Sequence, residues 1–418
     1  MTGSHYKRTT CRLCDGGRLV LRVPFGASPI GGAFVGSDRL AERQELYPLD
    51  LYQCLDCDHV QLLDVVNPEL VFADYSYFSG RTGLVNHFAK YADNVVARNG
   101  LPEGSFVVDV GSNDGSFLKF FQDRSMRVLG VDPAANVAAS AEADGIPTLP
   151  VMFDMAAADR IRRDFGPADI VTANNVFAHV DDLRGVLASV RALLADDGLF
   201  YFEVSYLLDV IDKMILGAVF HEHLSYHAVK PLASFLARGG MELIDVERVP
   251  IQGGSLICTA QHRGGRRPVA PAVCDLIVLE DSRGVGEAAF FEPFCARIAE
   301  AKVRVHKLIA EITARGEQIA AYGAARGGTF ITYLFELGRH ITYIVDDDPH
   351  KHGRFSPGWH IPVVPVDTLY ERRPQYVLVL AWVHSKSIVQ NNSRYLDEGG
   401  KFITFFPSIE VVGKHTLS

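Results

Sequence analysis

A strand, a glycine-rich turn and a helix in direct succession constrain the fold of this 418-residue chain more than any other feature. The segment SFVVDVGSNDGSFLKFF, from Ser105 to Phe121, has this pattern. A second strand, MRVLGVDP, follows, and the strands ADIVTANNV and DGLFYFEVS continue the alternation. Strands that alternate with helices predict a doubly wound α/β domain with a mostly parallel sheet.

The turn after the first strand resembles motif I of S-adenosylmethionine (SAM)-dependent methyltransferases. Asp109 lies inside the end of the strand, Gly111 permits a sharp turn and close approach of a ligand, and Asp132 ends the second strand, where an acid can accept both ribose hydroxyls. A dinucleotide fingerprint reads GxGxxG, but this turn reads GSNDGS. Asn113 and Asp114 would oppose a pyrophosphate, whereas SAM carries no phosphate. We therefore expect a SAM site at these five residues.

Further polar residues follow the strand ADIVTANNV, at the sheet edge where ligands bind in open α/β folds. Asn174 and Asn175 are placed to hold the methionine end of SAM, and His179 lies just beyond them. Taken singly, each of these residues could equally be an ordinary cap at the end of a strand.

The segment GAVFHEHLSYH concentrates acid–base side chains, among them Glu222 and His223. A neutral histidine near pH 7 suits proton removal from a carbon beside a carbonyl, and a nearby carboxylate can orient it. The metalloprotease pattern HExxH fails, because Ser225 stands at its last position. The alternative to a catalytic role is a polar helix or loop whose histidines lie on the surface.

Two CxxC pairs near the N-terminus predict a zinc site. Their four thiolates can surround one tetrahedral ion and leave no open position, so we expect the zinc to be structural: Cys11, Cys14, Cys54 and Cys57. A disulfide is disfavoured in a cytosolic protein, and a redox CxxC normally stands alone at the start of a helix.

The C-terminal third predicts a second α/β unit. The segment EQIAAYGAARGG reads as strand, turn and helix, and ITYIVDDDP, QYVLVLAW and KFITFF read as further strands. We expect a zinc-binding domain over residues 1–75, a SAM-dependent methyltransferase domain over 76–265 and a Rossmann-like domain over 266–418. Two such α/β units indicate two ligands that meet in a cleft.

Composition narrows the partners and the location. The net charge of -9 argues against nucleic acid, since neutralising phosphates requires clustered Lys and Arg. No run of about 18 uncharged apolar residues predicts a membrane span, and the N-terminus lacks the apolar core of a signal peptide. We expect a cytoplasmic protein that is a monomer or a weak dimer.

Over nearly its whole length the chain resembles the three-domain, zinc-containing C-methyltransferases that act on dTDP-4-keto sugars in antibiotic deoxysugar biosynthesis. The resemblance rests on the order of these segments: the paired CxxC, DYSYFSGRTG, VVDVGSNDGSFL, ANNVFAH, FEVSY, FHEHLSY, IQGGSL, YGAARGGT, IVDDDPHKHGRFSPGWHIPV and LAWVH. It implies methylation at C-3 of a dTDP-linked ketosugar.

The resemblance also implies roles for individual residues. The family's HEH or DEH motif matches Glu222 and His223, with His223 as the general base, and its AN-to-H segment matches Asn175 and His179. The implied mechanism has His223, oriented by Glu222, take the proton α to the ketone, after which the enolate attacks the methyl group of SAM. No metal takes part in this chemistry.

Two further sets of residues follow from the same resemblance. The family's YxY segment matches Tyr75 and Tyr77, which are expected to project from a lid beside the zinc domain. A dTDP group is expected between the central and C-terminal domains, with Tyr322, Arg326 and His384 as its contacts.

Three positions depart from the family's pattern. Phe220 replaces the usual Tyr before the xEH motif, which removes a hydroxyl whose loss as an oxyanion donor costs roughly 2.7–4 kcal/mol. Its role then falls to another donor: His179, Tyr75 or Tyr77. Arg326 stands near the usual Lys in a turn one residue shorter, and Gln252 replaces a frequent His. Arginine can bind phosphate bidentately, so these changes concern the substrate more than the reaction class.

Three other functions stay open at this stage. The acceptor could be another carbon, such as C-5, or a small non-sugar ketone. A nicotinamide-dependent oxidoreductase could use the C-terminal unit, although YGAARGG lacks a GxG start. A SAM-binding protein without catalysis is supported only by Phe220.

Overall fold

The computed structural model describes residues 4–72, 79–81, 83–405 and 408–414. Tyr75 and Tyr77, predicted at the lid, lie outside these residues.

The N-terminal part consists of short strands and one helix: β1 (His5–Lys7), β2 (Leu19–Val23), β3 (Ala27–Ser28), β4 (Tyr47–Pro48), β5 (Leu51–Cys54), β6 (Val60–Leu62), β7 (Asp64–Val66) and α1 (Pro68–Phe72). The strands β2, β5 and β6 pair antiparallel to one another. Cys54 is the last residue of β5, and Cys57 lies in the turn between β5 and β6.

The central part alternates helices and strands: α2 (Val85–Asn99), β8 (Phe106–Val110), α3 (Ser116–Gln122), β9 (Arg127–Val131), α4 (Ala135–Ala143), β10 (Thr148–Leu149), α5 (Met155–Phe165), β11 (Ala168–Asn174), α6 (Leu183–Leu193), β12 (Leu194–Ser205), α7 (Leu207–Asp212), β13 (Ser225–Tyr226), α8 (Val229–Arg238), β14 (Met241–Val249) and β15 (Ser255–His262). Seven of its strands form one sheet in the order β10-β9-β8-β11-β12-β15-β14. The first five are parallel, and β15 is antiparallel to both of its neighbours.

The C-terminal part begins with two helices and then repeats the alternation: α9 (Pro271–Ser282), α10 (Ala288–Ala314), β16 (Ile319–Tyr322), α11 (Arg326–Leu334), β17 (Ile341–Asp346), β18 (Val363–Pro365), α12 (Asp367–Arg372), β19 (Tyr376–Val379), α13 (Ser385–Asn391), α14 (Ser393–Asp397), β20 (Lys401–Thr404) and β21 (Glu410–Val412). Its sheet has the order β18-β17-β16-β19-β20-β21, and only β21 runs antiparallel. The predicted α/β fold class, with a four-cysteine N-terminal domain and two larger sheet domains, is therefore confirmed.

Among the parallel strands of each large sheet, the strand order reverses at one point, between β8 and β11 and between β16 and β19. At such a topological switch point the loops after the two strands leave in opposite directions and open a crevice for a ligand. All five residues of β8 and all four of β16 are buried, as expected for parallel strands covered on both faces.

Helix α2 shows how local sequence sets an element that borders the site. Its buried face is formed by Phe88, Tyr91, Ala92 and Val95, spaced three or four residues apart. The helix ends at Gly100, whose φ of 55° is left-handed and whose N–H binds the carbonyl of Ala97. The local sequence thus accounts for both the buried face of this helix and its C-terminal end.

The N-terminal part packs against both larger units. Strand β13 of the central chain segment joins the N-terminal sheet, through antiparallel pairing of Ser225 and Tyr226 with β6. On the other side, the ring of Phe25 meets that of Phe330 edge to face at 5.1 Å. Among the described residues, no helix has the length and apolarity that a bilayer crossing requires.

Candidate active site and zinc site

The four predicted zinc ligands converge on one point. Their Sγ atoms all lie within 4.8 Å of one another, with Cys11 3.6 Å from Cys57 and Cys14 3.5 Å from Cys54. A disulfide needs a sulfur–sulfur distance of about 2.05 Å, so these thiols are not bonded. A tetrahedron with Zn–S bonds of about 2.3 Å has edges of about 3.8 Å, which the cysteine set matches closely.

Each CxxC pair forms the same turn. The N–H of Asp15 binds the Cys11 carbonyl at 3.0 Å, and that of Asp58 binds the Cys54 carbonyl at 2.9 Å. Both aspartates take a left-handed φ, near 61° and 63°. Backbone amides also reach the sulfurs, from Gly16 to Cys14 at 3.3 Å. Because N–H donors favour thiolate over thiol, the donor set fits a structural zinc ion.

The first switch point lies at Gly111, directly after β8. Its φ is 70°, and its N–H binds the Val131 carbonyl at 2.8 Å. A Cβ at this position would collide with Cγ2 of Val176, in the loop after β11. The glycine is therefore required both by its backbone angle and by the approach of the two loops.

The side chains of Asn113 and Asp114, two residues predicted to bind SAM, contact the backbone of residues 79–80. Oδ1 of Asn113 accepts the Ser79 N–H, and Oδ2 of Asp114 accepts the Gly80 N–H, both at 2.9 Å. The two side chains thus hold residues 79–80 over the turn. The sequence gave no sign of these contacts, because each joins residues 34 positions apart.

The two predicted acids are also engaged within the protein. Asp109 is buried and accepts a 2.6 Å hydrogen bond from Oγ1 of Thr172, and burial raises its pKa to about 7. Asp132 accepts the N–H groups of Asn113 and Ala134 at 2.9 Å each. Every carboxylate oxygen has a second lone pair, so Asp132 keeps capacity for a ribose hydroxyl.

Asn174 offers the clearest open polar group at this edge. Both its side-chain oxygen and its side-chain nitrogen are buried without a hydrogen-bond partner among the described residues. Its neighbour Asn175 has a φ of 57° and donates its N–H to the Glu203 carbonyl at 2.8 Å. A buried amide left without partners is costly, so the site fits a polar ligand such as the amino-acid end of SAM.

His223 is held in a defined tautomer. Its Nδ1 lies 2.7 Å from the Ala218 carbonyl oxygen. A carbonyl only accepts hydrogen bonds, so Nδ1 carries the proton and Nε2 carries the lone pair. Burial and, to a smaller extent, the charge of Arg326 lower the pKa of His223 to about 4, although the hydrogen bond to Ala218 acts in the opposite direction. The imidazole is therefore neutral at pH 7.

His179 stacks on His223, with ring centroids 4.9 Å apart and planes 25° from parallel. Its Nε2 is buried without a described partner. Burial, His223 and Arg326 all lower the pKa of His179. The ring of Phe220 packs on that of His223, with the ring centroids 4.0 Å apart. The structure thus brings together the two histidines that the sequence placed 44 residues apart.

Glu222 does not orient His223 as predicted. Its carboxylate forms a close ion pair with Arg326 from the start of α11, and its side chain is 3% exposed. The orienting partner of His223 is the Ala218 carbonyl instead. Burial raises the pKa of Glu222, and the arginine opposes that rise. Glu222 has this partner because the C-terminal unit packs against the HEH segment and brings the guanidinium of Arg326 to its one carboxylate.

The second switch point repeats the geometry of the first. Gly323 follows β16 with a φ of 95° and donates its N–H to Val345 at 2.8 Å. A Cβ here would collide with Ala381, in the loop after β19. Asp346 accepts the Ala324 N–H at 2.6 Å, as Asp132 accepts an amide of the first turn. The two units therefore present equivalent ligand-binding edges.

The predicted substrate residues are distributed around this second edge. The hydroxyl of Tyr322 is 3.1 Å from both carboxylate oxygens of Asp347. Arg326, at the start of α11, pairs with Glu222 of the segment that carries His223. His384 is exposed at the end of a short 3₁₀ turn that starts at Trp382. The Trp382 indole fills the space beside Gly217 of the central unit.

One buried pair at the first edge, beside Asn174, was not predicted from the sequence. Nε2 of His87, in the first turn of α2, lies 2.6 Å from Oε2 of Glu203, and Glu203 is 1% exposed. Glu203 is in register with Asn174 on the neighbouring strand, so their side chains share a face. The acid in the apolar strand DGLFYFEVS is the signal that could have indicated it.

This fold and site define the class: a methyltransferase that uses SAM and carries a structural four-cysteine zinc domain. Family models support each part. A model described as "Putative zinc binding domain" matches residues 11–72, "Methyltransferase domain" matches 85–246, and "C-methyltransferase C-terminal domain" matches 250–407.

Known proteins narrow the class. The C-methyltransferase NovU of Streptomyces niveus is 33% identical over 404 residues, which cover 96% of each chain. A ubiquinone biosynthesis O-methyltransferase of Burkholderia thailandensis is 23% identical over 35% of this chain and 68% of its own. The chain belongs to the family of C-methyltransferases that includes NovU, and it is a SAM-dependent C-methyltransferase.

Solved structures were also matched. A SAM-dependent methyltransferase from Clostridium acetobutylicum aligns with a TM-score of 0.35 and 14% identity over 47% of this chain and 96% of that chain. Magnesium protoporphyrin IX methyltransferase from Synechocystis, with bound SAM, aligns with a TM-score of 0.33 and 15% identity over 44% of this chain and 86% of that chain.

Proposed function

We propose that this C-methyltransferase methylates C-3 of a dTDP-linked 4-keto deoxysugar, with His223 as the general base. The observation that carries the proposal is the tautomer of His223: its Nδ1–H is bound by the Ala218 carbonyl, so Nε2 is the basic nitrogen. The imidazole of His223 stacks on that of His179. In the sequence, His179 follows Asn174, whose side-chain amide has no described partner, by five residues. A base beside the cofactor edge suits carbon methylation, which requires removal of a C–H proton.

The proton transfer is as follows. Nε2 of His223 takes the proton from the carbon next to the ketone. The C–H electron pair forms a C=C bond, and the carbonyl electron pair moves to the oxygen. Bound SAM supplies the methyl group as an electrophile. The enolate carbon forms the new C–C bond to this methyl group while the methyl–sulfur bond breaks, and its electron pair stays on the sulfur of the departing S-adenosylhomocysteine. The ketone is restored, and His223 returns its proton to solvent.

The negative oxygen of the enolate requires a donor. Phe220 lacks the hydroxyl of the tyrosine that is usual at this position in the family that the chain resembles. We therefore assign this role to His179, whose buried Nε2 has no described partner. The guanidinium of Arg326 adds positive charge at the same centre, since it affects the pKa of both histidines. Fixed donors in a buried site stabilise a developing oxyanion strongly.

The nucleotide is assigned to the second edge. The loop after β16 and the turn at Trp382 face the central unit, where Gly217 and Gly327 pack backbone to backbone. A ligand bound at the second switch point would therefore extend toward His223. Tyr322, Arg326 and His384 are its proposed contacts, and the dTDP identity rests on the family resemblance.

Incubation with labelled SAM and a panel of dTDP-ketosugars tests this function. We expect label in one ketosugar, with NMR of the product locating the methyl group at C-3. His223→Asn should abolish turnover, whereas His350→Gln, at an exposed histidine, should retain it. In D2O without SAM, the parent enzyme should also exchange the C-3 hydrogen.

Three results would contradict the proposal. Near-parental turnover by His223→Asn would remove the base. A product methylated at C-5 would reassign the acceptor carbon. Label that appears only in ketones without a nucleotide would reassign the substrate class.

A further inference from the structure

Arg12 lies between the first two zinc ligands, but its side chain leaves the metal site. The guanidinium is wholly buried. Its Nε donates to Oδ1 of Asp181 at 3.0 Å, and its Nη1 contacts the carbonyls of Leu62 and of Leu224, the latter at 3.3 Å. Oε1 of Gln61 accepts from the same Nη1 at 3.1 Å. One arginine thus reaches three segments of chain at once.

Two of these segments carry the stacked histidines. Leu224 directly follows His223, and Asp181 stands two residues after His179. The two loops are also joined to each other, because the Leu224 N–H binds the Ala178 carbonyl at 2.7 Å. Arg12 therefore binds each loop next to its histidine and closes a ring of hydrogen bonds around the pair.

The N-terminal sheet reinforces the same connection. The Leu224 carbonyl accepts the Leu62 N–H at 2.9 Å in addition to the arginine. Arg8 also binds Asp181, at 3.0 Å. Because a buried guanidinium without its acceptors would be strongly destabilising, Arg12 and its partners are constrained to one arrangement.

We propose that Arg12 is a positioning residue, which transmits the geometry of the zinc-bound CxxC turn to the loops of His179 and His223. The arginine backbone is fixed by the flanking ligands Cys11 and Cys14, and its side chain fixes the two loops. The catalytic part of this inference rests on the proposed function of His223. The structural part, the order of the loops, can be measured without any substrate.

Four variants test the inference. Arg12→Met removes all of the guanidinium contacts and nearly preserves the side-chain volume. Arg12→Lys keeps a charge but cannot reach the carboxylate and the carbonyls together. Asp181→Ala removes the carboxylate that joins Arg12 to the His179 loop, together with the contacts of that carboxylate to Tyr6 and Arg8. It tests the inference where the first variant does not fold. The matched control is Arg18→Met, at an exposed arginine that pairs with Asp56 beside the same metal site.

The main measurement is amide hydrogen exchange of residues 178–181 and 224–226, together with zinc content and SAM affinity. In Arg12→Met we expect these amides to exchange about tenfold faster, with parental zinc content and SAM affinity. Asp181→Ala should affect the 178–181 amides, and Arg18→Met should affect neither loop. Turnover should fall about 100-fold in Arg12→Met with little change in KM for SAM, and less in Arg12→Lys.

The inference is overturned if Arg12→Met, or Asp181→Ala where the first variant does not fold, shows parental exchange in these loops. It is also overturned if Arg18→Met has an equal effect, which would indicate general loosening around the metal. If the parent enzyme methylates no ketosugar, the proposed function fails, but the exchange data still decide whether Arg12 orders the loops.

Discussion

Replacing the buried His227 with Gln should reduce the sensitivity of the protein's stability to acid. His227 is fully buried, and its ring lies 5.4 Å from that of His59, which is also buried. Burial lowers the pKa of His227 to about 4, because the imidazolium loses its hydration there. Burial and the charge of His227 also lower the pKa of the neighbouring His59.

The sign and size of the effect follow from linkage. The unfolded chain binds a proton at its ordinary pKa of about 6.5, and the folded chain does not until about pH 4. The stability contributed by neutral His227 is full above pH 6.5 and is lost as the pH falls toward 4. Between pH 8 and pH 5 the loss is about 2 kcal/mol for this one side chain.

Other groups change the total in both directions, so the difference between variants is the useful quantity. Burial lowers the pKa of His221 and His223 to about 4 as well, and both add to acid sensitivity. Asp109 acts oppositely, because its pKa is raised to about 7 and its protonation in acid favours the folded state. A raw pH profile would mix these contributions, whereas the substitution removes that of His227 together with its effect on the pKa of His59.

Urea unfolding of the parent and His227→Gln at pH 8, 7, 6 and 5, at constant ionic strength, measures the effect. The free energy of unfolding should fall less in the variant, by about 2 kcal/mol over this range, whatever the substitution costs at pH 8. His350→Gln, at an exposed position, should match the parent's pH dependence. Equal pH dependence in the parent and His227→Gln would refute the reasoning.

Three further changes address the metal, the cofactor turn and the ion pair. Cys54→Ser should lose zinc and destabilise the fold, because structural zinc in small domains contributes about 10–16 kcal/mol of folding energy; metal analysis and thermal unfolding check this. Gly111→Ala should weaken SAM binding at least about tenfold in calorimetry, because its Cβ collides with Val176 at a left-handed φ. Glu222→Gln should lower kcat about tenfold, because an unneutralised guanidinium disfavours protonation of His223.

Each change has a matched control. Cys274→Ser removes an exposed cysteine outside the zinc set and should retain the metal. Gly145→Ala shares a left-handed φ of 80° but has open space around its Cβ, so it separates collision from backbone strain. Glu42→Gln alters an exposed ion pair with Arg39 and should leave kcat unchanged. A control that matched its test variant would contradict the corresponding explanation.

Much of the architecture was predictable because it depends on local patterns. The two CxxC pairs identify their metal by ligand chemistry and spacing alone, and the structure brings all four sulfurs together. The segment around Gly111 combines an apolar strand, a left-handed turn and a helix, and each follows from short-range sterics. The second unit, from Ile319 onward, was found by the same alternation.

The partners of the site residues were less predictable, since they come from distant parts of the chain. Sequence placed Glu222 beside His223 because the two are adjacent, but adjacent side chains leave the backbone in different directions. Arg326, 104 residues away, reaches the carboxylate, and the carbonyl of Ala218 holds the imidazole. Motif spacing carries no information on such contacts.

The sequence by itself determined the zinc ligands, the two α/β units, the glycine turn and the segment that carries His223, because ligand spacing, hydrophobic period and turn sterics are local properties. Only the tertiary structure decided that Arg12 leaves the metal site for the histidine loops and that Asn113 and Asp114 hold residues 79–80. These arrangements depend on how the three units pack, and packing is settled by long-range burial of apolar surface and pairing of buried polar groups.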